Sequence, residues 1–94
     1  MKQLKIINTL ILIFSICMNS FGQKGIENYN KGLSLMEQGN YQDAIIAFSE
    51  GIKANDIYKS VNYYGRAYSY FEIKNFEKAK MDIESSLLSE KVHK

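Results

Sequence analysis

The string GNYQDAIIAF at residues 39–48 returns as KNFEKAKMDI at residues 74–83, and the echo runs well beyond those positions. Tyr29 pairs with Tyr64, Gly32 with Ala67, Asn40 with Asn75, Tyr41 with Phe76, Ala44 with Ala79, Phe48 with Ile83, Gly51 with Ser86 and Ile52 with Leu87, every pair 35 residues apart. Amphipathic helices share a 3.6-residue rhythm but keep no register over that distance, so a constant long period means one supersecondary unit built twice.

The rhythm within each copy is helical. Residues 23–38 place Ile26, Tyr29, Leu33 and Met36 along one stripe, and Gly39-Asn40 ends that helix. Asn40 is expected to cap a second helix, with Asp43 three residues on, and Tyr41, Ala44, Ile45, Phe48 and Ile52 recur along it until Ala54-Asn55-Asp56. Residues 57–74 form a third helix with two apolar faces: Tyr63, Ala67 and Tyr70 on one, and Val61, Tyr64, Tyr68 and Phe71 on the other. Asn75 caps a fourth helix whose inward positions are read as Phe76, Ala79, Ile83 and Leu87, fraying before Lys94. The reading is therefore all-α, two antiparallel helical hairpins stacked side by side. Gly32 against Ala44, and Ala67 against Ala79, let the two helices of each hairpin cross closely, while Gly51 and Ser86 let the following helix approach. A glycine inside a helix costs roughly 1 kcal/mol relative to alanine, so Gly32 and Gly51 make sense only where packing returns more.

Ahead of the repeats, residues 1–22 have the three-part layout of an export signal. Lys2 and Lys5 supply a positive start, residues 6–18 an apolar run, and Ser20 and Gly22 small side chains at alternate positions before an expected cleavage at Gln23. The run of 13 is short of the ~20 residues that span a bilayer as a helix. An uncleaved membrane anchor is the lesser alternative, and lipidation at Cys17 is disfavoured by the bulky Ile16 before it. Removing the leader leaves 72 of the 94 residues, no cysteine, and Lys plus Arg at 12 less two, level with the 10 Asp plus Glu. That neutral balance argues against nucleic acid, whose binding needs clustered cations. The product is one small domain, residues 23–94, with a core that is marginal when closed by itself. Its expected location is the periplasm or beyond, with an inner-membrane tether only if the leader is retained.

The pattern resembles the tetratricopeptide repeat, a 34-residue helical hairpin with an aromatic near its start, a small residue half-way along the first helix, Gly-[DN]-[YF] at the turn, then Ala and a large residue in the second helix. Tyr29, Gly32, Gly39-Asn40-Tyr41, Ala44 and Phe48 carry it in the first copy, about residues 25–56. Tyr63 and Tyr64, Ala67, Tyr70, Asn75-Phe76, Ala79 and Ile83 carry it in the second, about residues 60–92. The family's closing proline is missing, Asp56 standing near its place with one extra residue in the join, and Lys74 replaces the turn glycine. The resemblance implies an α-α superhelix whose first helices line a concave surface that holds peptides or partner helices. It also implies that Leu87 and Leu88 are partly exposed, because each unit leaves one face for the next to cover.

Catalytic constellations are lacking. The one histidine, His93, stands near the end, no glycine-rich phosphate loop is present, and Ser85, Ser86 and Ser89 have no base beside them. Asp82 and Glu84 point apart on a helix and read as a solvated surface. No enzymatic activity, cofactor or metal is expected. The residues with functional colour are Tyr64, Tyr68 and Phe71, extended by Tyr29, Leu33 and Met36, with Glu37, Arg66 and Glu72 as charged accents. Aromatics give contact area with few rotamers to freeze, which suits protein binding. The bland alternative is that this stripe is covered by the chain's own N-terminal residues or by a second copy. Lining of this kind excludes the lysine–asparagine clamp by which the family grips a terminal carboxylate. The function expected is an exported adaptor or scaffold binding a protein or peptide; the alternative is a self-associating element or a fragment of a longer array.

Overall fold

In the computed structural model, which describes residues 23–92, four helices run α1 Lys24–Glu37, α2 Tyr41–Lys53, α3 Lys59–Glu72 and α4 Phe76–Val92. They form an all-α arrangement in which α1 packs on α2, α2 on α3 and α3 on α4, with a lighter contact between α1 and α3. The expected leader lies outside the described residues, as does His93.

The echo is written into the backbone. At the end of α1 the Asn40 N–H donates to the Leu35 carbonyl at 2.9 Å and the Gly39 N–H to Met36; at the end of α3 the Asn75 N–H donates to Tyr70 at 2.8 Å and the Lys74 N–H to Phe71. Both are the same helix-ending motif, which needs one residue in the left-handed region. Gly39 supplies it at φ 78, and Lys74 adopts it at φ 66 despite its side chain. The start of the second helix differs between copies. Asn75 Oδ1 accepts from the Lys78 N–H at 3.3 Å, as expected of a cap, whereas the Asn40 side chain turns away to donate to Gln38 Oε1.

The core is centred on Phe48, which is fully buried together with Ala44. A Cβ added at Gly32 would stand 2.5 Å from the Phe48 ring, and so would one added at Gly65 on α3. Gly32 therefore makes room for the Phe48 ring, which lies between two helix backbones, one from each hairpin. Gly51, further along α2, makes room in the same way for the fully buried Asn62 side chain. Asn62 Nδ2 donates to the Gly25 carbonyl at 3.0 Å and to the Tyr58 carbonyl at 2.9 Å. Its Oδ1 has no hydrogen-bond partner among the described residues and rests against Gly51.

Asp56, in the place of the missing proline, fastens the hairpins at this end. Its carboxylate accepts from the Tyr58 N–H at 2.9 Å and from the Gly25 N–H at 3.0 Å, so the first turn of α1 is tied to the α2–α3 junction through both polar groups of the Gly25 backbone.

The reading of α4 needs correcting. Ala79 is buried as expected, but Phe76, Ile83 and Leu87 are open, at 56%, 37% and 57% exposure, and the residues turned onto α3 are Ala79, Asp82 and Ser86. The physical reason is that, among the described residues, α4 has a neighbour on one side only. Its small and polar stripe meets α3, where Ser86 and Ser60 hydroxyls are 3.1 Å apart, and its apolar stripe faces the position a following helix would fill. Leu87 and Leu88, at 57% and 64%, are exposed as the repeat logic requires.

Candidate protein-binding surface

α3 sets the geometry of the candidate surface because its faces carry different chemistry. Asn62, Gly65 and Ser69, spaced three and four apart, are its buried stripe against the first hairpin, and Ser69 returns its hydroxyl to the Gly65 carbonyl at 3.1 Å. That stripe of small and polar residues lets α3 lie close to α2, which pushes the large residues outward. Tyr64, Tyr68 and Phe71 are consequently 60%, 46% and 55% exposed, in a line along the helix.

The sequence-predicted surface residues do come together. Tyr29 leans on the core, its ring 6.0 Å from that of Phe48, and shares a depression with Val61 and Tyr64. Leu33 and Met36 of α1, both half-buried, border a second shallow depression with Tyr68 and Glu37. Tyr64, Tyr68 and Phe71 then form one wall of a trough of about 390 Å³ whose opposite wall is Phe76, Ala79 and Ile83 of α4, with Lys80 at its rim. Phe71 meets Phe76 edge-on, ring centroids 5.3 Å apart. Glu72 holds the Tyr68 hydroxyl above the ordinary tyrosine range by placing its negative charge beside it, so the phenol stays protonated and able to donate.

Arg66 is not an accent of this surface. It lies on the far side of α3, where Nε and Nη2 donate to the two Asp82 oxygens, both at 2.8 Å, and Nη1 donates to Ser49 Oγ at 3.1 Å. Tyr63 and Tyr70 flank it, their rings 5.5 Å and 5.9 Å from the guanidinium carbon. The Asp82 hydrogen bonds raise the Arg66 pKa above its ordinary value in spite of partial burial. Asp82, read from sequence as solvated, is thus a buried half of a bidentate pair that joins α4 to α3, with Ser49 linking α2 to the same guanidinium. Sixteen residues separate the partners, and no local pattern announces such a pair.

Of the residues read as packing positions, Gly32, Ala44, Phe48, Gly51, Ala67 and Ala79 are buried, while Ile83 is on the open trough wall. Asn62, Gly65 and Ser69 were legible only as interruptions of an aromatic helix, and their three-four spacing is the signal that marks them as an interface stripe. Among the described residues, no group of acidic, histidine or cysteine side chains is arranged to hold a metal ion, and no helix is long and apolar enough to cross a membrane. What the surface offers is apolar contact area edged by a few charges, suited to holding another polypeptide.

Comparison with known proteins agrees with the architecture. The tetratricopeptide repeat profile matches residues 28–58 and again residues 61–92. Tetratricopeptide repeat protein 12 of Homo sapiens is 40% identical over 58 residues, covering 61% of this chain and 8% of that protein. No solved structure matches the chain.

Proposed function

The chain belongs to the tetratricopeptide repeat family, and on that footing we propose that it is an exported, non-enzymatic adaptor or scaffold that holds a protein or peptide partner on the aromatic surface of α1 and α3. Repeats of this family generally mediate protein–protein interaction. The observation that carries the reading is the aligned exposure of Tyr64, Tyr68 and Phe71 beside Leu33 and Met36, where large rings stand open on a helix whose other face is closed by small residues. Monomeric proteins seldom leave contiguous apolar patches of this kind unless something binds there. Export rests on the layout of residues 1–22: cleavage before Gln23 places the product in the periplasm or beyond, and retention tethers it to the inner membrane facing outward.

Affinity capture from the envelope fraction, with the wild type and a Tyr68→Ala/Phe71→Ala double variant as baits, tests the surface. Both side chains are about half exposed, so the variant is expected to keep its helical circular dichroism and lose the partner. Capture that is unchanged removes the surface from consideration. Intact mass of the exported protein tests the leader. The exposed Leu87 and Leu88 favour a second reading, a self-associating element or a segment of a longer array; a concentration-dependent dimer in light scattering supports it, and a monodisperse monomer counts against it.

A further inference from the structure

We propose that the trough between α3 and α4 is a receptor for a single amphipathic α-helix from a partner protein, one that presents a small or uncharged polar residue at position i, Gly, Ala or Ser at i+3 and i+7, and an acidic residue toward Lys80.

The seat for such a helix is already occupied once in this molecule. Subtracting 35 from trough residues Tyr64, Tyr68, Phe76, Ala79 and Ile83 gives Tyr29, Leu33, Tyr41, Ala44 and Phe48, the face of the first hairpin on which α3 lies. There Phe48 is fully buried because Gly65 of α3 sits on it; Ile83, its counterpart, is 37% exposed. The trough is the α2–α3 interface continued by one repeat, and α3 shows what fits: a helix approaching on its small and polar stripe, Asn62, Gly65 and Ser69. Ile83 is smaller than Phe48, so Ala or Ser suffices where α3 needs glycine.

An extended peptide does not fit. The polar side chains of the lining are two tyrosine hydroxyls and the Lys80 ammonium, and the backbone groups of α3 and α4 are engaged within their helices. A strand laid there would bury N–H and C=O groups without partners, whereas a helix satisfies its own. A second copy stacked head to tail does not fit either. On α1 the positions equivalent to the docking stripe are Glu27, Asn30 and Ser34, all three exposed, and they put a carboxylate at the place of Asn62 and a longer side chain at the place of Gly65, where the trough asks for a small one. The area points the same way: Tyr64, Tyr68, Phe71 and Phe76 each leave roughly 100 Å² open, about 400 Å² together, half of the ~800 Å² each partner gives in a standard stable interface.

The proposal rests on the protein-binding reading of the chain; Tyr68 and Phe71 line the trough as well, so its test instead changes Ile83 and Phe76 of the α4 wall, which the Tyr68/Phe71 double variant retains. A fluorescein-labelled peptide of residues 57–74, carrying the α3 stripe, is titrated against the protein and followed by anisotropy and circular dichroism. Saturable binding with a gain of helical signal is expected, weakened at least tenfold by Ile83→Glu or by Phe76→Glu in the protein, each at an exposed position, and abolished by Gly65→Pro in the peptide. Absence of saturable binding overturns the proposal. Binding that survives both protein variants overturns it too, because the peptide has then replaced the protein's own α3. Binding that survives the proline means an extended ligand, and a dimer of the protein alone that Ile83→Glu dissociates means a second copy; either overturns it.

Discussion

Phe48 shows how single side chains impose the close packing of this fold. Its ring touches the Gly32 backbone on one side and that of Gly65 on the other, so neither position has space for a methyl group. Gly→Ala inside a helix ordinarily gains about 1 kcal/mol; at Gly65 we expect the sign to reverse, with a net loss of about 1–2 kcal/mol as overpacking outweighs propensity, seen as a lower urea midpoint. Tyr68 offers a spectroscopic handle at the binding surface. The Glu72 charge raises its pKa above 10.0, so its phenol binds the proton more firmly in the folded state. The small stabilisation this brings is present below the unfolded tyrosine pKa and lost as pH rises through the folded one. Glu72→Gln is expected to move the Tyr68 phenolate transition to lower pH in near-ultraviolet absorbance, and an unmoved transition would mean the carboxylate is not the cause.

At the level of helices, the two hairpins differ in how well they are finished. Gly39 and Lys74 end α1 and α3 in the same left-handed conformation, which costs an L-residue about 1–2 kcal/mol. Lys74→Gly is expected to raise stability by about 1 kcal/mol, measured by thermal unfolding, because glycine takes that conformation without the Cβ penalty. The conflict was visible in sequence, since Lys74 falls where Gly39 stands one period earlier. All four helices and the stacking order were likewise legible, because a constant 35-residue register over Tyr29/Tyr64, Ala44/Ala79 and the rest leaves little freedom of arrangement. What periodicity could not give was which stripe of α4 turns inward. Phe76, Ile83 and Leu87 have the hydrophobicity of a core, yet burial depends on there being a neighbour, and only α3 is there to meet α4 among the described residues. Polar cross-helix contacts were equally hidden: Arg66 with Asp82, and Asn62 with Gly25, join residues 16 and 37 apart through side-chain geometry that no spacing rule encodes.

For the molecule as a whole, the Arg66–Asp82 pair matters because small domains hold little stability in reserve. Asp82→Ala strands a half-buried guanidinium and is expected to cost about 3 kcal/mol, enough to bring the melting transition down steeply in a domain of this size. Replacing both members with apolar residues, Arg66→Met with Asp82→Leu, is expected to recover most of that loss, which separates a stranded charge from lost contacts. If the single variant melts like the wild type, the pair is ornamental. The contrast between α1 and α4 carries a last consequence. Glu27, Asn30 and Ser34 stand open on α1 and Leu87 and Leu88 stand open on α4, so the two ends of the described solenoid differ in character, one wet and one greasy. An engineer adding a hairpin would therefore meet less resistance seating it against α4 than against α1.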